Sequence, residues 1–190
     1  MKKSSFPLVL LALFAAPALA DNIAIMQEES RAMALPFMKK LAEENKKAVT
    51  EGGPETAIMV CKDIAPNMAG EASRKNGVRM TRVSLKVRNP MLGTADAWEQ
   101  KVLQDFEARV AKGEKPDNME FVEVVKEPAG NSFRYMKAIA LQSGCVACHG
   151  TPDQISAKVR TRLNEDYPND KAIGYVPGQI RGAVSIKRAL

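Results

Sequence analysis

Cys145-Val146-Ala147-Cys148-His149 gathers two of the three cysteines and the single histidine of the chain into five consecutive positions. Two thiols separated by two residues, with a histidine next to the second, form the attachment sequence of a c-type haem. The thiols add across the vinyl groups on one side of the porphyrin, and the histidine ligates the iron. Chance, half of a zinc site and a redox-active Cys-x-x-Cys are the rival readings. Zinc needs further Cys or His ligands, and only Cys61 remains. A redox dithiol opens the first helix of a thioredoxin-like βαβ pattern, and no such pattern precedes Cys145. One motif implies one covalently attached haem c. Because His149 is the only histidine, bis-histidine ligation within one chain is excluded. With two cysteines consumed as thioethers, Cys61 has no intramolecular disulfide partner.

The N-terminus agrees with the motif. Residues 1–20 read as a secretory signal peptide, with Lys2 and Lys3 as the positive region, an apolar run from Phe6 to Ala16, and Ala18-Leu19-Ala20 as a small-residue cleavage site. The run contains Pro7, is followed directly by Pro17 and is shorter than the ~20 residues of a spanning helix. The expectation is a periplasmic protein, with residues 1–20 removed, residues 21–190 forming one domain, and no stable membrane span after cleavage. The formal net charge of +6 falls to +4 when Lys2 and Lys3 leave, and the charges are scattered. That pattern reads as solvated surface and gives no case for nucleic acid. Aromatic residues make up only 5% while Met occurs 10 times, and methionine's flexible thioether can fill irregular space beside a flat macrocycle.

Periodicity places the elements. From Asn22 to about Thr50 the pattern is helical, with Met26, Met33, Phe37 and Leu41 on one stripe and Pro36 expected to kink it or mark a junction. That stripe suits a helix lying across the domain or pairing with a second subunit in a homo-oligomer. Gly52-Gly53-Pro54 ends the helix, and a second one, Glu55 to Lys75, is expected to bend near Pro66. It carries Ile58, Cys61, Ala65 and Met68 on one face. Spacing alone leaves Cys61 open as a small core hydrophobe or as an iron ligand. Alternation predicts a strand over 78–87 whose cationic face offers Arg82, Lys86 and Arg88 as contacts for haem propionates; a solvated strand face would look the same. Asp96 with Glu99 predicts a capped helix running to about Lys112, with Trp98, Val102, Phe106 and Val110 read as a core stripe.

Residues 119–126 and 132–141 read as a hairpin that feeds directly into the haem motif. Thr151-Pro152-Asp153-Gln154 reads as a helix start, with Ile155, Val159 and Leu163 inward and an end near Asp166. A last strand over 179–187 sets Ile180, Val184 and Ile186 against Arg181, Ser185 and Lys187.

Five separated pieces of the chain resemble one family. They are Ala57 to Cys61 with Ile64-Ala65-Pro66, then Thr81 to Pro90, Ala97-Trp98-Glu99, Cys145 to His149, and Gly182 to Ile186. In this order they are similar to the single-haem, PAS-like c-type haem domains, although Met91-Leu92-Gly93 stands where that family commonly carries a further polar residue. The resemblance implies an α+β fold: a PAS-like antiparallel sheet flanked by helices, here with a long N-terminal helical segment. It also implies His149 as the proximal iron ligand and Cys61 as the distal one.

A thiolate opposite histidine stabilises ferric iron and lowers the reduction potential. Reduction weakens that bond, so the ligand can leave and the helix carrying it can move. The expected function is therefore an exported redox or small-gas sensor module that passes its signal to a partner. The alternative is a low-potential electron-transfer cytochrome serving a redox partner protein. An enzyme is not expected, since no second histidine is available for distal acid-base chemistry.

Overall fold

The computed structural model describes residues 16–190, with side chains described from residue 21 onward. The expected signal peptide lies almost wholly outside the described residues. The first helix, α1 (Ala16–Gly52), runs unbroken for 37 residues with Pro36 inside it. The junction expected at Pro36 is therefore absent. Ala34 and Phe37 on either side of the proline are buried against the sheet, and that packing holds the helix through a position that lacks a backbone donor.

After α1 come α2 (Pro54–Met59), a single widened π-turn over Val60–Ile64, and α3 (Ala65–Asn76). The expected bend is present, but it precedes Pro66 instead of following from a break there. Pro66 has no N–H for the Lys62 carbonyl and its ring crowds that oxygen, so the helix opens by one residue: the Ala65 N–H reaches the Val60 carbonyl five positions back. Cys61 lies inside this turn.

Four strands follow: β1 (Arg79–Val83), β2 (Glu120–Glu127), β3 (Gly130–Ala140) and β4 (Ile180–Ala189). They form one fully antiparallel sheet in the order β1-β4-β3-β2. The α+β architecture expected from the sequence, an antiparallel sheet flanked by helices and preceded by a long helix, is the one observed.

One face of the sheet (Met80, Phe133, Tyr135, Val184, Ile186) packs on Ala34 and Phe37 of α1. The other (Val83, Met136, Ala138, Ala183) packs on Val102, Leu103 and Phe106 of α5 (Ala97–Ala111). Each such large side chain contributes about 1.5–3 kcal/mol by leaving water. The predicted capping box holds: the Asp96 side chain accepts from the Glu99 N–H, and the Glu99 side chain accepts from the Asp96 N–H. The hairpin closes through Pro128 and Ala129 alone, because Glu127 pairs with Gly130.

Two boundaries differ from the sequence reading. The first strand stops at Val83 and does not run to residue 87. The Ser84 Oγ lies within hydrogen-bond distance of the carbonyls of Lys86 (2.9 Å) and Arg181 (2.8 Å), either of which accepts its one proton, and the chain folds back on itself there; a short helix, α4 (Pro90–Gly93), follows. At the other boundary, Thr151 to Gln154 form a closed turn with the Thr151 N–H on Gln154 Oε1 at 2.9 Å. The helix α7 (Ala157–Asp166) starts later, with Ser156 as its cap. Its inward residues Val159 and Leu163 are the predicted ones, and Ile155, which the sequence reading placed in the helix, lies just ahead of it in the same cluster.

Candidate haem site

The sheet edge where β1 and β3 end and β4 begins collects every chemically distinctive side chain named from the sequence. β3 leaves the sheet at Ala140 and passes through one tight turn, Ser143–Cys145, into the short helix α6 (Val146–His149). Cys145 packs beside Leu141, Ala172 and Tyr175, while Cys148 packs against Ile58, Ile155, Val159 and Leu163. The two thiols of the motif are free, each beside its own apolar cluster. Burial pushes the Cys148 thiol up to about 11, so it is neutral there. Gly150 is required after the histidine: a Cβ would lie 2.7 Å from the Val146 carbonyl.

A strap over residues 167–176 fixes His149. Its Nδ1 lies 2.7 Å from the Ala172 carbonyl. A carbonyl can only accept, so Nδ1 carries the proton and Nε2 keeps its lone pair. Burial, reinforced by the charges of Arg181 and Arg88, holds the ring well below the ordinary imidazole range and therefore neutral. The backbone ties the same strap down: the Tyr175 N–H donates to the His149 carbonyl (2.9 Å) and the Gly174 N–H to the Gly150 carbonyl (2.8 Å). This is the tautomer and restraint a metal-binding histidine needs.

Cys61 comes from the other side. Ile58, one helical turn before Cys61, packs in the same cluster as Cys148, and Arg82 of β1 reaches the Cys61 carbonyl at 3.5 Å, which brings this turn to the motif side of the sheet. The hydrogen-bond partner of the Cys61 Sγ among the described residues is Asn45 Oδ1 of α1, at 3.9 Å. Among the described residues no three His, Cys, Asp or Glu side chains converge as they would around a bare metal ion. That absence gives no support to a zinc cage.

The cations divide. Arg82, on β1, reaches the Cys61 carbonyl at 3.5 Å, and exposed Lys86 donates to the Ile173 carbonyl at 3.2 Å and sits 4.6 Å over the Tyr175 ring. Arg88 is 7% exposed and already committed. It pairs with Asp170 at 2.9 Å and donates to the carbonyls of Cys148 (2.5 Å) and Ala172 (3.4 Å). It locks the strap to the motif. Asp170 in turn accepts from the Ala172 N–H at 2.7 Å.

Sequence reasoning missed Arg181, which alternation placed on a solvated face. The residue beside it holds the missing signal. Gly182 lets β1 approach so closely that a Cβ there would lie 2.3 Å from the Val83 carbonyl, and this draws the β4 start into the site. Arg181 donates to Ser84 Oγ at 3.0 Å and, at 3.5 Å, to His149 Nε2.

Comparison with known proteins follows the same outline. The family model described as Tll0287-like matches residues 16–188. Among solved structures, the cyanobacterial heme-protein Tll0287 shares the fold with a TM-score of 0.59, at 23% identity over 90% of this chain and 95% of that one. None of the curated proteins matches the chain.

Proposed function

Since the chain belongs to the Tll0287-like family, we propose that it is an exported haem protein. In this reading Cys145 and Cys148 carry one haem c through thioethers, and His149 and Cys61 are the axial ligands of its iron. The chain works as residues 21–190 in the periplasm after loss of residues 1–20. The observation that carries the proposal is His149 itself. Its Nδ1 proton is spent on the Ala172 carbonyl, which leaves Nε2 as the acceptor atom, met here only by the long 3.5 Å contact from Arg181, and the two motif thiols are free. Arg82 and Lys86 are the cations placed to receive propionates. Arg88 serves the site from behind by holding the Cys148 and Ala172 carbonyls.

Bound haem supplies a one-electron couple and an iron that can exchange an axial ligand. The two protein ligands are held very unequally. His149 is restrained by the strap and its Arg88–Asp170 pair, whereas the Cys61 side chain is held by one long contact in a widened helical turn. Cys61 is thus the ligand free to leave, and its departure would relax α2 and α3 against α1. This supports a redox or small-gas sensor that passes a conformational signal to a partner, with no enzymatic step of its own. A second reading, a low-potential electron carrier, is favoured by the rigid histidine side alone.

The experiment is expression of the full chain in a bacterium that attaches c-type haem, followed by acid-acetone extraction and spectra with and without CO or NO. Haem should stay with the polypeptide and be released from a Cys145→Ser, Cys148→Ser variant. Extractable haem in the wild type would refute covalent attachment. Binding of CO by the ferrous protein supports the sensor; an unchanged six-coordinate spectrum in both oxidation states favours the carrier.

A further inference from the structure

Asp166 stands where the local chemistry of its helix disfavours it. The last turn of α7 carries Glu165 and Asp166 and no basic residue, so both carboxylates face the negative end of the helix dipole. Glu165 is exposed, whereas the Asp166 side chain is only 8% exposed and its buried Oδ2 makes no hydrogen bond. A carboxylate so placed is kept where cations meet it. Two do: Arg162 Nε, one turn earlier in α7, lies 2.7 Å from Oδ2, and Lys62 Nζ lies 2.5 Å from Oδ1. The Lys62 pair spans 104 positions of the chain. Lys62 follows Cys61 inside the widened turn Val60–Ile64, and Asp166 directly precedes the strap over residues 167–176 that fixes His149. In the same pair of helices Ile58 of α2 packs on Val159 and Leu163 of α7. The ion pair thus joins the segment that carries one expected iron ligand to the segment that holds the other. It uses no atom of either ligand.

We propose that Asp166 is a positioning residue: through Lys62 it clamps the turn bearing Cys61 to the end of α7, and this clamp sets how readily Cys61 yields its place on the iron to another ligand. This rests on the haem reading above. The Cys61 side chain has one long contact of its own, to Asn45 at 3.9 Å, so its placement depends on the turn and on what holds the turn. A widened turn departs from the regular bonding of the helices on either side, so a tie from another element matters more there than in a straight helix. Lys62 is 43% exposed, which makes the tie a minor term in the stability of the fold. Its leverage comes from its position beside Cys61. When Cys61 leaves, the iron–sulfur bond opens with its electron pair on the thiolate, the incoming ligand brings its own pair, and the oxidation state does not change.

The test is displacement of the thiolate by added imidazole, followed by absorption and EPR spectra of the ferric holoprotein, for wild type, Lys62→Met, Asp166→Asn, Lys62→Arg and Arg162→Met. Lys62→Met and Asp166→Asn should each lower the half-displacing imidazole concentration by at least about threefold, the effect of losing an ion pair partly open to water. Lys62→Arg keeps the cation and should stay within roughly twofold of wild type. Arg162→Met takes a cation from the same carboxylate but leaves the tie to the turn, so it should also stay within roughly twofold. A purely structural role for Asp166 would make that variant as damaging as Lys62→Met. Amide hydrogen exchange gives a readout that does not involve the iron: it should quicken over residues 60–64 in Lys62→Met and Asp166→Asn, and keep the wild-type rate over residues 170–176. A smaller fall in Lys62→Met overturns the proposal, and so does an equal fall in Arg162→Met. If Asp166→Asn does not fold, Lys62→Met decides alone, because its side chain is half in water. A wild-type protein without a ferric thiolate signature fails differently: the fault is present before any substitution and refutes the ligand assignment together with this inference.

Discussion

Arg134 and Arg181 sit on neighbouring strands of one sheet, the first buried and the second half-buried, and their surroundings differ accordingly. Arg134, 3% exposed on β3, meets Asp96 at 2.7 Å, Glu99 at 3.2 Å and Glu127 at 3.8 Å, and its guanidinium carbon lies 4.4 Å from the Trp98 ring centroid. Glu99 is further held by the Ser185 hydroxyl at 2.7 Å. Arg181 has only neutral acceptors. A charge fully matched inside the chain belongs to the architecture, here fastening α5 to the sheet. A half-buried charge that meets only neutral acceptors ties the start of β4 to the chain reversal after β1 and to His149.

The sharpest way to break this contrast is Arg134→Met. It leaves Glu99 and its neighbours without their cation and should lower unfolding free energy by about 3–5 kcal/mol in urea titration. The haem spectrum of the folded fraction should not change. Asp170→Asn comes next: it strips the partner from buried Arg88 and should cost about 3 kcal/mol. Unlike Arg134→Met it should also alter the spectrum, because the strap that orients His149 loosens.

Acid gives a smaller effect with a defined sign. Burial raises Asp96 and Glu120, but Arg134 and backbone N–H groups for the first, and Arg31, Gln27 and Tyr135 for the second, outweigh it and hold both below the ordinary carboxylate range. Their stabilisation is present above the unfolded values near ~4 and is lost as pH falls through the folded values. Wild-type stability should therefore decline below about pH 4, and Arg134→Met should show a shallower decline. The smallest change is expected for Arg181→Gln. Removing this half-buried cation with its neutral acceptors should shift unfolding free energy by under about 1 kcal/mol. Loss of several kcal/mol there would erase the contrast.

What the sequence disclosed follows the range of the forces involved. The Asp96–Glu99 capping box, the hairpin and the inward face of α7 depend on neighbours a few positions apart, and each was legible. So was the motif, whose five residues are contiguous. Val83 was misjudged as mid-strand because the alternation of Leu85 and Val87 continues past it. What ends β1 is a Ser84 hydroxyl bonded to Arg181, 97 positions away. Thr151 looked like a helix cap but its partner Gln154 closes a separate turn. Arg88 and Arg181 were hardest, since both look like solvated cations until Asp170 is found beside one and no carboxylate beside the other. Long-range charge matching leaves no local pattern to read.

The central claim is that the iron site joins His149 to a thiol from a different helix. Ferric EPR and absorption spectra of the purified holoprotein, wild type against Cys61→Ser, test it most directly. The account predicts a low-spin thiolate signature in the wild type that disappears in the variant, with haem still covalently attached. A Cys61→Ser protein whose ferric spectra match the wild type would contradict it.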